Sequence, residues 1–173
     1  NGKSTTVRMV AHILRQAGMR VGFTSTSGIF VDNECIWKGD ASGPKSARIL
    51  LQDPTLDIAI LETARGGILR EGLGVMDIDV GAVLNITEDH LGISGIDTLE
   101  DLAAVKSVVT ESVVSKGVSV LNADNTYTAS MARHAGGDIC YFSMTPGKIG
   151  VLHEHIEQGG RAVTRELIGN KMQ

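Results

Sequence analysis

Two short and almost uninterrupted apolar runs constrain the fold of this chain more than any other feature of the sequence. They span residues 57–62 (DIAILE) and 79–85 (DVGAVLN), and each ends in a polar residue. Continuous apolar runs of this length are typical of strands that are buried on both faces of a parallel sheet. We therefore expect an α/β fold in which helices cover both faces of a mostly parallel sheet.

Helical patterns alternate with strand patterns along the rest of the chain. Apolar residues at helical spacing predict a helix over 4–17, and another over 98–114 in which Thr98 and Asp101 have the spacing of a capping box. The remaining predicted elements are shorter: helices over 45–52 and 126–134, strands over 20–26, 118–121 and 139–142, and a hairpin over 29–38 that turns at Asp32-Asn33.

The pattern changes after Ser143. Residues 151–156 and 161–167 read as two strands of a hairpin that is joined across Gln158-Gly159-Gly160. The sequence therefore predicts one domain over 1–143, followed by a hairpin-like extension over 144–173.

Composition excludes several classes of function. The formal net charge is -4 and the basic residues are scattered, so we expect no nucleic acid partner. No apolar run is long enough to span a bilayer, so we expect no membrane partner. The two cysteines lie far apart and outside any metal-binding spacing, which is typical of reduced thiols in a cytoplasmic protein.

The chain opens with the residues NGKST, which resemble the second half of a phosphate-binding loop, so we expect it to be a fragment of a longer protein. In such a loop, backbone N–H groups at the start of a helix bind the anion, Lys3 reaches the terminal phosphates, and the Ser4 hydroxyl binds magnesium. A chance tripeptide at a helix start is the alternative. The amphipathic helix that follows and the α/β pattern favour nucleotide binding.

Glu62 follows the first apolar run, at the carboxyl edge where open α/β sheets bind their ligands. A carboxylate there can coordinate a magnesium ion that the phosphates share. The alternative is a cap for a following helix, which the intervening Gly66-Gly67 disfavours. Arg65 and Arg70 are suited to binding carboxylate or phosphate, and surface ion pairs are an equal alternative for both.

Asn85 ends the second run, and His90 follows it closely, so both are expected at the same edge of the sheet. His90 is a candidate metal ligand because of this position, although single histidines are more often structural.

Lys106 lies in the middle of the apolar stripe of the 98–114 helix. Its aliphatic stem could lie along the apolar surface with the amine in water. Alternatively, a desolvated neutral amine could react with carbon dioxide and become a carbamate. Periodicity leaves both possibilities open.

Taken together, these motifs resemble the central domain of the Mur ligase superfamily, a fold related to the P-loop NTPases. NGKST resembles the phosphate loop of that superfamily, NITEDHLG its Asn-Ile-x-x-Asp-His signature, and LNADN its LNxDD element, in which Asn125 replaces the usual second aspartate. Lys106 falls where the superfamily has a carbamylated lysine. The strings SGPKSARILLQDP and LETARGGILREGLG resemble one of its branches, the cyanophycin synthetases.

The resemblance implies an ATP-dependent ligase that converts a carboxylate into an acyl phosphate, which an amine then attacks to form an amide. For the cyanophycin synthetases, the amine belongs to arginine and the acceptor is the β-carboxylate of an aspartyl polymer. Carried over, Lys3, Glu62, His90 and Lys106 are catalytic. Magnesium is bound by Ser4 and Glu62 at one position and by His90 and carbamylated Lys106 at a second. ATP binding involves Asn1, Gly2, Lys3, Ser4, Thr5, Asn85, Asn122 and Asp124. Arg65 and Arg70 are assigned to substrate carboxylates.

Two other functions compete with this assignment. One is a different Mur-type ligase, which acts on a muramyl peptide or a folate, and the other is a nucleotide-binding scaffold without catalysis. The presence of Lys3, Glu62, His90 and Lys106 together disfavours the scaffold. We expect the full-length protein to form a homo-oligomer, and we expect the 173-residue chain alone to be inactive.

Overall fold

The computed structural model describes residues 2–88, 92, 95–145 and 150–165, together with the backbone of 167–168 and 171–172. Within this part, the chain divides into two compact units, which comprise residues 1–75 and 76–173. Each unit has its own sheet and its own apolar core.

The first unit is built on a four-stranded sheet with the order β3-β2-β1-β4. β4 pairs parallel with β1, whereas β2 pairs antiparallel with both β1 and β3. The helices are α1 (Lys3–Gln16), α2 (Pro44–Leu50) and α3 (Arg65–Glu71), and the strands are β1 (Val21–Ser25), β2 (Gly28–Val31), β3 (Glu34–Lys38) and β4 (Ile58–Leu61).

Helices α1 and α2 cover opposite faces of this sheet. Val21 and Phe23 of β1 pack with Val7 and Ala11 of α1. Gly22 lies between them, and a Cβ atom there would meet the Leu50 side chain of α2 at 2.7 Å. Because successive residues of a strand point to opposite faces, the two helices lie on different sides. The predicted α/β layering is therefore confirmed for this unit.

The hairpin predicted to turn at Asp32-Asn33 is confirmed as β2 and β3. Asp32 has φ 53°, the left-handed conformation that two-residue hairpin turns require. β3 forms an exposed edge of the sheet, and its Trp37 is 49% exposed. The Trp37 ring rests over Gly39, where a Cβ atom would approach the ring to 2.5 Å.

The second unit is built on a parallel sheet with the order β5-β6-β7-β8. The strands are β5 (Ile78–Val83), β6 (Val113–Asn122), β7 (Asp138–Ser143) and β8 (Arg161–Thr164), and the helices are α4 (Leu99–Glu111), α5 (Thr126–Ser130) and α6 (Gly150–Glu157). A single turn of 3-10 helix spans Met131–Arg133, and β9 (Leu167–Ile168) pairs antiparallel with β10 (Lys171–Met172).

Helix α4 carries the predicted capping box. The Thr98 hydroxyl accepts from the Asp101 amide at 3.1 Å, and the Asp101 carboxylate accepts from the Thr98 amide at 3.1 Å. The helix ends at Glu111, three residues before the predicted end, because Val113 already begins β6. Leu102 of α4 is buried in a core with Val83 and Leu121.

Two predictions about strands differ from the structure. Residues 57–62 and 79–85 do form strands, but β4 and β5 are outermost in their sheets and are only partly buried. The predicted hairpin over 151–167 is wrong, since residues 150–157 form helix α6 and β8 runs parallel to β7. Residues 150–164 thus belong to the second unit, with β8 in its sheet, and do not form a separate hairpin.

Gly159-Gly160 explains this error because it ends a helix instead of turning a hairpin. The Gly160 amide donates to the His155 carbonyl at 2.8 Å and the Gly159 amide donates to the Ile156 carbonyl at 2.9 Å, which is the Schellman pattern. Gly159 has the left-handed φ of 83° that this motif favours. The six-residue segment 151–156 is too short for periodicity to separate helix from strand.

None of the helices in the described part of the chain combines the length and the apolar character that a membrane span requires.

Candidate functional site

The start of helix α1 is arranged to bind an anion. Gly2 precedes the helix with φ 85°, and Lys3 and Ser4 form its first turn. Gly2 cannot cap the helix with a side chain, and the first turn contains no acidic residue. The N–H groups and the positive end of the helix dipole at Lys3 therefore suit a phosphate.

Glu62 lies directly against this helix start. The residue is only 4% exposed, and its Oε2 accepts a hydrogen bond from the Ser4 hydroxyl at 2.6 Å. The Glu62 amide donates to the Thr24 hydroxyl at 3.1 Å, which fixes the residue at the carboxyl end of β4. The Thr26 hydroxyl lies 3.3 Å from the Ser4 hydroxyl.

This arrangement fits a magnesium ion. Magnesium prefers hard oxygen ligands, and it usually binds one or two protein oxygens together with phosphates and water. A buried carboxylate is stabilised by a cation or by hydrogen bonds, and Glu62 presents its charge beside the helix start that suits the phosphates. The cap alternative for Glu62 is wrong, because α3 begins at Arg65 with Ala64 as its N-cap.

The two arginines of helix α3 differ in exposure to solvent. Arg65 is half-buried in the first turn, whereas Arg70 is exposed and its Nη1 folds to 3.2 Å from where a Cβ atom of Gly66 would lie. Gly67 allows α3 to approach the start of α2, since a Cβ atom there would meet Gly43 Cα at 3.2 Å. The paired glycines thus allow both the helix contact and the Arg70 conformation.

Asp40 is a carboxylate near the positive charges of Lys3 and Arg70. The hydroxyl and the amide of Ser42 donate to its Oδ1 at 2.6 and 3.0 Å. These two hydrogen bonds, followed by the charges of Arg70 and Lys3, hold the pKa of Asp40 below its ordinary value. Asp40, Lys3 and Arg70 are therefore close enough to interact electrostatically.

In the second unit, Lys106 and Asn85 lie together. The Lys106 amine donates to the Asn85 carbonyl at 3.4 Å, and the lysine side chain is half-buried. The amine is thus partly withdrawn from water and directed at the backbone that follows β5. Both the carbamate and the unmodified amine are compatible with this half-buried position.

Asn122 and Asn125 bind the same stretch of backbone. The Asn122 amide group donates to the Leu84 carbonyl at 2.9 Å, and the Asn125 amide group donates to the Ile86 carbonyl at 2.7 Å. Asn125 is also the N-cap of α5, where its Oδ1 accepts from the Thr128 amide at 3.1 Å. These side chains therefore hold residues 84–86 in place.

Asp124 organises the backbone that follows β7. Its carboxylate accepts hydrogen bonds from the Ser143 hydroxyl, the Met144 amide and the Thr145 hydroxyl, each at 2.7 Å. Partial burial alone would raise the pKa of Asp124, but these hydrogen bonds outweigh it and lower the pKa below the ordinary value of 3.8. Asp124 thus has a structural use that the sequence did not predict.

The substitution Asp124→Asn is expected to lower the free energy of unfolding by about 1 kcal/mol at pH 7. The effect is small because Asp124 is exposed and water screens its interactions. Since the folded-state pKa is lowered, the stabilisation by Asp124 is complete above its ordinary pKa and is lost as pH falls through the folded-state pKa. Thermal unfolding between pH 7 and pH 2.5 should show the two proteins converging in acid. The exposed Asp79→Asn is the control, and a gap that persists in acid would contradict the assignment.

Several predicted site residues are thus brought together within each unit, while others fall outside the described part of the chain. Lys3, Ser4 and Glu62 are associated in the first unit, and Asn85 and Lys106 in the second. Asn1 and His90 lie outside the described residues. Sequence reasoning did not single out Thr24, Thr26 or Asp40, although the polar ends of β1 and of the loop before α2 were a signal.

Comparison with known proteins agrees with this geometry. The chain is 51% identical to a cyanophycin synthetase of Synechocystis sp. and 50% identical to one of Trichormus variabilis, over 96% of this chain in both cases. It spans about a fifth of the length of these curated relatives, 19% and 18%. The predicted resemblance to this branch is therefore confirmed.

The fold is shared with a solved structure, that of a UDP-N-acetylmuramoyl-L-alanyl-D-glutamate--2,6-diaminopimelate ligase. The TM-score is 0.69 at 24% identity, over 86% of this chain and 31% of that one. The family model of the Mur ligase middle domain matches residues 1–164, which include the start of α1, the Glu62 contact, the Lys106 helix and β8. On this match, the chain belongs to the Mur ligase middle domain family.

Proposed function

We propose that this chain is the ATP-binding domain of a cyanophycin synthetase, an ATP-dependent ligase that joins arginine to the aspartate β-carboxylates of a polymer. The observation that carries the substrate assignment is the identity of about 50% over 96% of the chain to proteins of that name. The diaminopimelate ligase, at 24% identity, supports the fold alone. Because the reaction consumes ATP, we also propose a cytoplasmic location.

The reaction has two chemical steps. In the first, an oxygen of the acceptor β-carboxylate attacks the γ-phosphorus of ATP, which forms an acyl phosphate and releases ADP. In the second, the α-amine of arginine attacks the acyl carbon. The tetrahedral intermediate then expels phosphate, and the amine loses a proton to give the amide. Both steps build negative charge on oxygen atoms, so fixed cationic and N–H groups accelerate them.

The first unit supplies groups for the phosphates. Lys3 and the N–H groups at the start of α1 would bind the terminal phosphates, and Ser4 with Glu62 would bind one magnesium ion. When it is bound, magnesium neutralises charge that develops on the transferred phosphoryl group. Two contacts support this role for Glu62: the Ser4 hydroxyl donates to its carboxylate, and its backbone amide donates to the Thr24 hydroxyl.

Arg65 and Arg70 are proposed to bind the acceptor carboxylate. Both belong to α3, which follows Glu62 after a short connection, so the carboxylate would approach the same end of β4 as the phosphates. Arginine is suited to this role because its planar guanidinium can bind both carboxylate oxygens at once.

The second unit is proposed to supply a second magnesium site, from Lys106 as a carbamate together with His90, while Asn85 contributes to nucleotide binding. The support for Lys106 is its half-buried amine beside the Asn85 carbonyl. Desolvation favours the neutral amine, which is the form that reacts with carbon dioxide, and the product is a carboxylate-like metal ligand.

The test is phosphate release by purified full-length protein with ATP, Mg2+, arginine and an aspartyl acceptor. We expect phosphate release that needs both arginine and the acceptor, together with amide product detected by mass spectrometry. Release with a muramyl peptide or a folate instead would favour another Mur-type ligase. ATP binding without phosphate release under any of these conditions would favour a scaffold and refute the ligase assignment.

A further inference from the structure

Side-chain oxygens from three different elements meet at the start of α1. The Ser4 hydroxyl belongs to the helix, the Glu62 carboxylate follows β4, and the Thr26 hydroxyl belongs to the two-residue turn between β1 and β2. Ser4 Oγ lies 2.6 Å from Glu62 Oε2 and 3.3 Å from Thr26 Oγ1. Ser4 and Glu62 belong to the proposed magnesium site, whereas Thr26 has no role assigned so far.

The direction of these two hydrogen bonds follows from the chemistry of a hydroxyl group. A serine hydroxyl has one hydrogen to donate and two lone pairs that can accept. The Ser4 hydrogen goes to Glu62, because a carboxylate is the stronger acceptor and 2.6 Å is the short distance typical of such a bond. At the longer contact Ser4 can therefore only accept, so Thr26 is the donor. One lone pair of the Ser4 oxygen is left for a ligand.

The turn that carries Thr26 is held to the same helix. Arg8 lies one helical turn after Ser4, and its Nη2 donates to the Ser27 hydroxyl at 2.6 Å. The Ser27 amide donates to the Ser25 hydroxyl at 3.2 Å, and Ser25 is completely buried. The residues on both sides of Thr26 are thus anchored, which keeps its hydroxyl beside Ser4.

We propose that Thr26 is a positioning residue for magnesium binding. By donating to Ser4, it keeps the Ser4 hydrogen directed at Glu62 and the remaining lone pair available to the cation. Without this donor, the Ser4 hydroxyl has fewer constraints on its rotation. Thr26 acts through Ser4 and is not itself a metal ligand. This inference rests on the proposed function, in which Ser4 and Glu62 bind one magnesium ion.

The experiment compares Thr26→Val and Thr26→Ser in the full-length protein. Valine keeps the branched shape and removes the hydroxyl, whereas serine keeps the hydroxyl. We expect the Mg2+ concentration for half-maximal phosphate release to rise about fivefold in Thr26→Val, the effect of one ordinary hydrogen bond, and to stay near wild type in Thr26→Ser. The kcat at saturating Mg2+ and the KM for arginine should not change in either variant.

The control is Thr55→Val, which removes a hydroxyl that donates to Asp53 in the segment before β4. Glu62 follows the other end of β4, so the Mg2+ dependence of this variant should match that of wild type. The melting temperature of each variant checks that it is folded.

Calorimetry supplies a readout that does not depend on turnover. With Mg2+, Thr26→Val should bind a non-hydrolysable ATP analogue with a Kd about fivefold higher than wild type, and without Mg2+ the two Kd values should be equal. Equal Kd values with Mg2+ would overturn the inference. An equal loss of affinity with and without Mg2+ would also overturn it, since a purely structural role has that effect, as would Thr26→Ser binding as weakly as Thr26→Val.

Failure of the proposed function has a different signature. A wild-type protein that binds the analogue with Mg2+ but releases no phosphate from ATP would refute the ligase assignment. The calorimetric comparison of Thr26→Val with wild type would still decide the role of Thr26, so the two failures are distinguishable.

Discussion

Replacement of Lys106 by alanine in the full-length protein is expected to lower kcat roughly 10³-fold. The physical reason is the loss of a carbamate that would bind magnesium beside residues 84–86, where the unmodified amine lies 3.4 Å from the Asn85 carbonyl. Added bicarbonate should not restore the Ala variant, which has no amine to modify. A small carboxylate such as formate is expected to restore part of the rate, because it can occupy the vacated ligand position.

Two further variants separate the carbamate from the hydrogen bond. Lys106→Arg can still donate to the Asn85 carbonyl, but its guanidinium stays protonated and cannot form a carbamate. We therefore expect Lys106→Arg to be nearly as inactive as Lys106→Ala. Lys116→Ala, at an exposed position of β6, is the matched control and should keep wild-type kcat. High activity of Lys106→Arg would show that Lys106 is only a donor to the backbone.

Glu62→Gln is expected to have the second large effect, a decrease in kcat of roughly 10²- to 10³-fold with a higher Mg2+ requirement. Glutamine keeps the shape of the side chain and can still accept the hydrogen bond from Ser4, so the change removes mainly the charge. Steady-state rates of phosphate release across a Mg2+ titration provide the measurement.

Thermal unfolding offers a second view of Glu62 that is independent of catalysis. Without Mg2+ and nucleotide, Glu62→Gln should melt at or above the wild-type temperature, because a 4% exposed carboxylate is no longer buried as a charge. With Mg2+ and ATP, the wild type should gain stability and the variant should gain much less. Glu71→Gln, which removes an exposed ion pair with Lys45, should behave as wild type in both assays. Equal Mg2+ responses for Glu62→Gln and wild type would refute the metal role.

Local chemistry made much of the fold predictable. The capping box at Thr98 and the turn at Asp32-Asn33 are encoded by adjacent residues, and both form as expected. The helix at 150–157 was missed because the segment is short and because Gly159-Gly160 serves helix ends as well as hairpins. The partial burial of β4 and β5 was missed because an apolar run does not show whether a strand has neighbours on both sides.

The position of a site residue was predictable where its residue type and its place at the end of a strand are enough to identify it. Glu62 was expected at the carboxyl end of β4, and its contact with Ser4 follows from the arrangement of β4 and α1. The donors to the Leu84 and Ile86 carbonyls were not predictable, because Asn122 and Asn125 reach them from other elements. The LNADN string identifies these asparagines but gives no partner 38 or 39 residues away.

The distribution of aromatic side chains gives each unit its own optical signal. The single tryptophan, Trp37, lies on the β3 hairpin of the first unit, whereas both tyrosines, Tyr127 and Tyr141, belong to the second. Indole emission excited at the red edge therefore reports the local surroundings of the β3 hairpin. Tyrosine absorbance follows the other half, so one sample can be monitored at two wavelengths to learn whether the halves lose their structure in concert or in sequence.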